Sequence, residues 1–224
     1  MANRKLIAVD GPAASGKGTL ARRLAAYFDF AYLDTGALYR AVALSVLDAG
    51  GAVDHQADAV AAAQKLDMAM LDNADFAARL RTAETGLAAS VVAAMPDVRA
   101  AILAAQRQFA DTPPQAKAGA VLDGRDIGTV VCPDAAAKLF VTARPDIRAE
   151  RRWKELQADN KTGAAGPDYE TVLSDIKARD ARDAERETAP MKQAADADLL
   201  DSSDLSIEEA FTVALALVDA KLND

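Results

Sequence analysis

The sequence predicts an α/β fold: a mostly parallel sheet of five short strands, helices on both faces, and a helical block inserted after the second strand. Three observations predict it. Short apolar runs alternate with stretches of helical periodicity, which is the pattern of strands joined by helical crossovers. The stretch 52–118 carries almost no strand signal and is too long for an ordinary crossover. A glycine-rich turn follows the first apolar run directly and opens into a helical pattern.

Taken in order, Leu6–Val9 is the first strand, ending at Asp10. The helix after it places Leu20, Leu24 and Tyr27 or Phe28 on one face. Ala31–Asp34 is the second strand, and the helix from Thr35 to Leu47 is stopped by Gly50-Gly51. Within 52–118 the residues are mainly alanine-rich helix. A weak strand at Leu66–Leu71 is the exception, and Pro96 stands as a first-turn residue after a break at Met95. Pro113-Pro114 closes the block. Gly119–Leu122 and Lys138–Thr142 read as buried strands around a loop at 123–129. Charged helices over 145–158 and 168–188 flank a polar stretch with Gly163 and Gly166, Leu199–Leu200 forms the last strand, and Ser206 with Glu209 makes a capping box for a terminal helix. The domain reading is a core of 1–51 and 119–224, a lid at about 145–167, and an inserted subdomain at 52–118.

Composition narrows the function. The 224 residues include 26 Lys and Arg against 34 Asp and Glu, a formal charge of −8, with 51% hydrophobic residues. That balance suits a packed domain and disfavours long nucleic acid as a partner. A single cysteine, Cys132, excludes an intramolecular disulfide and a tetrathiolate zinc site, and a single histidine, His55, excludes chemistry on paired histidines. No apolar run reaches the roughly 18 residues of a membrane span, and the N-terminus is strand-like, so a cytoplasmic location is predicted. Charge is uneven: residues 193–224 carry a net −7, residues 1–40 a net +3. The acidic C-terminal stretch reads as a solvated helix face, and His55, Cys132 and Trp153 as surface, core and lid-packing residues.

The strongest motif is Gly11-Pro12-Ala13-Ala14-Ser15-Gly16-Lys17-Gly18-Thr19, set between a strand and a helix. Glycines let the backbone curl so that successive N–H groups face an anion, the helix N-terminus adds partial positive charge, and a lysine reaches the outer phosphates. This is a P-loop for the phosphates of a nucleoside triphosphate, with one variation: Gly18 occupies the usual Ser/Thr position and the hydroxyl arrives at Thr19. A guanine-reading Asn-Lys-x-Asp is only approximated by Asn160-Lys161-Thr162-Gly163, which lacks the acid.

Phosphoryl transfer places much negative charge in one cleft and needs positioning and neutralisation more than a nucleophilic side chain. Arginine suits that task because its planar fork donates two bonds to one phosphate. Arg40 lies early in the second helix, Arg125 directly after a strand, Arg144, Arg148, Arg151 and Arg152 at the start of the first charged helix, and Arg179, Arg182 and Arg186 at spacings of three and four. Singly, each can be a solvated charge, and Arg179–Asp183 can be surface neighbours. Asp123-Gly-Arg-Asp-Ile-Gly is harder to assign to packing.

Four segments together resemble the bacterial cytidylate kinase family over practically the whole chain: the glycine-rich loop, Leu33-Asp-Thr-Gly-Ala-Leu-Tyr-Arg40, Leu122-Asp-Gly-Arg-Asp-Ile-Gly-Thr-Val-Val131, and Arg179-Asp-Ala-Arg-Asp-Ala-Glu-Arg186. The resemblance implies a P-loop kinase core with an NMP-binding insertion and a mobile lid, acting on ATP and CMP or dCMP with Mg2+. It implies no nucleic-acid polymer and no membrane as partners, and the chain is read as a monomer. It assigns the ATP phosphates to 11–19, with Thr19 as a ligand to the metal directly or through water. It assigns the CMP phosphate to Arg40, Arg125 and Arg186, the ribose to Arg179 and Asp183, and the cytosine edge to Ser90, Arg99 and Asp126. Thr35, at a position the family often fills with Ser, and Arg81 complete the CMP-binding set. Lys17, Arg125 and the lid arginines Arg148, Arg151 and Arg152 are the catalytic set. A carboxylate at Asp126 suits the cytosine 4-amino group, whereas uracil O4 leaves an unpaired acceptor costing roughly 1–3 kcal/mol. The segment 68–81 departs from the family's pattern, so its hairpin is expected to be reduced or lost. Two other readings stay open on residues alone: another small-molecule P-loop kinase, and an ATP-binding regulatory module.

Overall fold

The computed structural model describes residues 5–159 and 166–223. Asn160–Gly163, and with them the middle of the expected lid, lie outside the described residues. The chain divides into two compact units, Met1–Tyr32 with Lys117–Asp224, and Leu33–Ala116.

The first unit is built on the sheet. Its strands are β1 (Lys5–Asp10), β3 (Gly119–Gly124), β4 (Ala137–Thr142) and β5 (Asp198–Asp201); β2 (Ala31–Asp34) straddles the boundary, and the order is β2-β3-β1-β4-β5. β1 pairs in parallel with β3 and β4, and β4 in parallel with β5. Ile7, Ala8 and Val9 on the central strand are fully buried, because helices cover both faces. On one side lie α1 (Lys17–Phe28) and α9 (Ile207–Asn223), sharing a core of Leu20, Leu24, Val121, Leu139, Ala214 and Val218. The α1 stripe ends at Phe28, which packs on this core, while Tyr27 is 61% exposed.

The predicted cap of α9 forms: the Ser206 hydroxyl accepts the Glu209 N–H at 3.2 Å, and the Glu209 carboxylate accepts the Ser206 N–H at 2.8 Å. The first charged helices are α7 (Pro145–Asp159) and α8 (Tyr169–Glu185), packed together through Ala149, Val172 and Ile176.

The second unit is helical. It contains α2 (Thr35–Asp48), α3 (Gln56–Gln64), α4 (Ala74–Leu80), α5 (Ala83–Val92) and α6 (Pro96–Asp111). α2 belongs here because it buries Leu38, Ala41, Val42, Leu44 and Val46 and packs on α3, α4 and α5.

Two expectations are corrected. Leu66–Leu71 is not a strand; Met68–Asp72 forms a 3₁₀ turn in which the Ala69 N–H meets the Asp67 carboxylate, followed by α4 capped by Asn73. Asp and Asn beside a short apolar run offer the backbone local partners, and these win where no neighbouring strand competes. The segment whose hairpin was expected to be reduced or lost is therefore helical. The loop at 123–129 is also more ordered than expected: β3 continues through Gly124, and Ile127–Val131 forms a π-helical turn.

Candidate active site

The phosphate loop follows β1 and ends in α1. Gly11 adopts φ +144°, and a Cβ there would lie 2.0 Å from the Val141 carbonyl oxygen, so only glycine fits between β1 and β4. Gly16 caps α1 at φ +85°, and between them Ala14 is left-handed at φ +57°. This alternation turns the loop into a concave backbone facing the N-terminus of α1.

Gly18 accounts for the Lys-Gly-Thr variation. A Cβ at that position would stand 3.2 Å from Asp123 Oδ2, tight against the end of β3. Asp123 is buried and accepts the Tyr32 hydroxyl at 2.6 Å. The residue reading did not assign it a role; the available signal was an acid closing the apolar run Ala120-Val-Leu122 beside a P-loop. Lys17 and Thr19 stand half-buried at the start of α1, with the Thr19 N–H on the Gly16 carbonyl at 3.1 Å.

The loop is anchored from behind. Arg148, only 3% exposed, donates through Nη1 to the Ala13 carbonyl at 3.2 Å and through Nε to the Ala143 carbonyl at 2.8 Å. Its fork meets both oxygens of Asp180, at 3.0 and 2.5 Å. Arg151 donates to the Ser202 carbonyl and hydroxyl, and that hydroxyl donates to the Ser15 carbonyl at 2.9 Å. Of the three arginines placed in the catalytic set as a group, Arg148 and Arg151 are in this structure tied to the loop's frame. Arg152 is half-exposed beside Glu155, one turn along α7. Asp180 and Ser202 had no role in the residue reading.

One strand over, the parallel register pairs Asp10 with Gly124, so the phosphate loop and the Arg125 segment leave adjacent strands at the same level. Arg125 donates through Nε to Asp183 at 2.8 Å. Arg186 lies 3.9 Å from Asp183 and 3.8 Å from Asp126. Burial pushes the Asp183 carboxyl up, but Arg125, Arg179 and Arg186 outweigh it and hold the group below the usual carboxylate range. Asp183 is buried, so it is not the surface neighbour that its spacing from Arg179 allowed; Arg182 is exposed. Thus Arg125, Asp126, Asp183 and Arg186 form one network, with Arg179 acting on Asp183.

Asp10 closes this network underneath. Its two carboxylate oxygens accept the N–H groups of Ile127 and Gly128 at 2.8 and 2.7 Å. Burial raises its pKa to about 7; the two amides and Arg125 pull it down and Asp126 pushes it further up.

In the helical unit, Thr35 is buried at the first turn of α2, and Arg40 lies 3.6 Å from Asp34. Arg99 is buried over the Tyr39 ring, 5.4 Å from its centroid, and donates to the Ala93 carbonyl. The buried Ser90 hydroxyl has no hydrogen-bond partner among the described residues. Arg81 is exposed at the end of α4. His55 is exposed, Cys132 buried, and Trp153 packs with Ala14, Tyr169 and Leu173 against the α7–α8 core.

If the P-loop takes an Mg2+ ion, the oxygen donors that would suit it are the Thr19 hydroxyl at the loop's end and the Asp123 carboxylate against Gly18. Magnesium retains several waters and asks the protein for only one or two such groups.

Comparison with known proteins identifies the family. The family model for cytidylate kinase matches residues 7–220. A Xanthobacter autotrophicus protein named cytidylate kinase is 58% identical over 216 residues, covering 96% of this chain and 98% of its own. A Rhodospirillum rubrum protein of the same name is 55% identical over 218 residues, covering 96% and 98%. Among solved structures, an uncharacterized protein from Eubacterium ventriosum superimposes with a TM-score of 0.54 at 14% identity, covering 97% of this chain and 99% of that one, a likeness of fold alone. On the strength of the family match and of these identities, the chain belongs to the cytidylate kinase family.

Proposed function

We propose that this chain is an ATP-dependent phosphotransferase that moves the γ-phosphoryl group of ATP to the phosphate of CMP or dCMP, giving ADP and CDP or dCDP. The observation that carries this reading is the register of β1 and β3, which sets a carboxylate-held arginine network directly beside the phosphate loop. Donor phosphates and an acceptor phosphate thereby have neighbouring seats at one sheet edge, where ligands of such folds bind.

In this reading the curled backbone of 11–19 and Lys17 hold the ATP phosphates. Arg125 and Arg186 take the CMP phosphate, exchanging carboxylate oxygens for phosphate oxygens, and Arg179 and Asp183 take the ribose. Asp126 receives the cytosine 4-amino group. In the helical unit, taken by itself, Arg40 is assigned to a phosphate, and Arg99, Thr35, Arg81 and the Ser90 hydroxyl, which has no partner among the described residues, to the nucleoside. Transfer is direct and in line; a phosphate monoester is already nucleophilic near neutral pH, so no general base is required. Thr19 and Asp123 would hold Mg2+, which when bound would supply charge neutralisation to the ATP phosphates. Arg148 and Arg151 act by fixing the loop's frame, which leaves Arg152 of the three to meet the transferring phosphoryl. The enzyme is read as a cytoplasmic monomer.

The test is ADP release with Mg-ATP against CMP, dCMP, UMP, AMP and GMP. Strong preference for CMP and dCMP is the expected result. Turnover on another acceptor alone removes the cytosine assignment, and ATP consumption on none of the five makes the chain an ATP-binding regulator.

A further inference from the structure

Asp10 is the last residue of β1 and only 5% exposed, yet it is an acid. Its partners are successive backbone amides of a different segment, Ile127 and Gly128, the first two residues of the π-helical turn. Helix-like turns begin with N–H groups that have no partner within the turn. A carboxylate with two acceptor oxygens satisfies two of them at once, which no neutral side chain of that size does. The turn is pressed onto the sheet at this point: a Cβ on Gly128 would lie 3.4 Å from Asp10 Oδ2 and 3.2 Å from Lys138 Cδ.

Asp126 immediately precedes the clamped amides, at φ −145° and ψ 24°, and its carbonyl accepts the Val130 and Val131 N–H groups. Its backbone is therefore held from both ends of the turn, and the direction of its side chain follows. On the other side, Asp10 is bonded to Gly11, where the phosphate loop begins. One buried carboxylate thus joins the start of the ATP loop to the segment carrying Arg125 and Asp126.

We propose that Asp10 is a positioning residue whose carboxylate, by clamping Ile127 and Gly128, aims the Arg125-Asp126 pair and so sets the enzyme's selectivity for a cytosine nucleotide. This rests on the functional reading of that pair given above. Packing alone does not call for this arrangement, since an apolar residue on the central strand avoids burying an acid.

The test uses Asp10→Asn in the full chain. Asn matches Asp in size, keeps one acceptor, and turns a donor toward the other amide, leaving that N–H unsatisfied. Hydrogen exchange at Ile127 and Gly128 is expected to quicken about tenfold or more, the usual scale for one lost buried bond. The KM for CMP should rise by a similar factor, and the CMP-over-UMP ratio in kcat/KM should narrow, while the KM for ATP stays within about twofold. An unchanged CMP-over-UMP ratio overturns the proposal. So does a loss of kcat alone, which a merely structural role would produce.

If Asp10→Asn does not fold, Asp10→Glu carries the same test. It keeps both acceptors but displaces them by one methylene, and an unaltered ratio again overturns the proposal. If the parent enzyme does not phosphorylate CMP, the functional reading fails by itself and selectivity through Asp126 falls with it. Exchange at the two amides then still decides whether the carboxylate holds the turn.

Discussion

Arg125 is held in place before any substrate arrives. Its Nε is bound to Asp183, and Nη1 donates to the Gly124 carbonyl at 3.2 Å, so the guanidinium is oriented within the strand-end segment that carries it. A pre-oriented donor loses little freedom when a phosphate replaces a carboxylate, and such preorganised charge is the larger part of phosphoryl-transfer catalysis. Arg125→Ala is therefore expected to lower kcat on CMP by about 10²–10³, the scale of removing one oriented donor, with the KM for ATP within about twofold. Arg125→Lys should recover only part, because an ammonium keeps the charge and loses the fork. Steady-state kinetics on both variants check this; equal kcat in Arg125→Ala and the parent removes the residue from the site. Asp183 remains beside Arg179 and Arg186 in either variant, so the network is thinned without leaving a lone buried charge.

At the scale of elements, Arg148 ties α7 and α8 together to the phosphate loop. Arg148 on α7 holds Asp180 on α8, the Ala143 carbonyl after β4, and the Ala13 carbonyl of the loop. Arg148→Ala leaves Asp180 and two carbonyls without that donor, and removing one partner of a buried pair costs about 3–5 kcal/mol. Because Asp180 is partly solvated, a loss near the lower end is expected in urea unfolding, together with a raised KM for ATP. A variant as stable as the parent with an unchanged KM would show that the tie does not hold the loop. The elements themselves were legible in the sequence wherever period and cap agreed: the five strands, Pro96 opening α6 and the Ser206–Glu209 cap all stand where residues 6–9, 96 and 206–209 put them. Leu66–Leu71 was misread because short apolar runs do not distinguish strand from turn, and Asp67 and Asn73 decided locally. The phosphate loop and the arginines were legible as motifs. Asp10, Asp123, Asp180 and Ser202 were not, because each owes its place to a partner far along the chain, and sequence spacing carries no record of that pairing.

For the whole molecule, the division into two units makes a statement about stability. Every group assigned to the ATP phosphates belongs to the sheet unit, since the phosphate loop, Asp123, Arg148 and Ser202 all fall within Met1–Tyr32 or Lys117–Asp224. A ligand that binds the native form stabilises whatever cooperative unit its site requires. Mg-ATP at a hundred times its Kd contributes about 2.7 kcal/mol, which for a chain of this size moves a melting midpoint by roughly 5–10 °C. If the two units melt as one, calorimetry should show a single transition that rises by that amount. If they melt separately, only the transition of the sheet unit should rise, and the other should stay where it was. Trp153, the chain's one tryptophan, packs with Ala14 of the phosphate loop in the α7–α8 cluster, so its fluorescence follows the sheet unit alone and assigns the transition that moves. No shift in the transition followed by Trp153 at saturating Mg-ATP would take the triphosphate away from the loop at 11–19, whatever the activity assay reports.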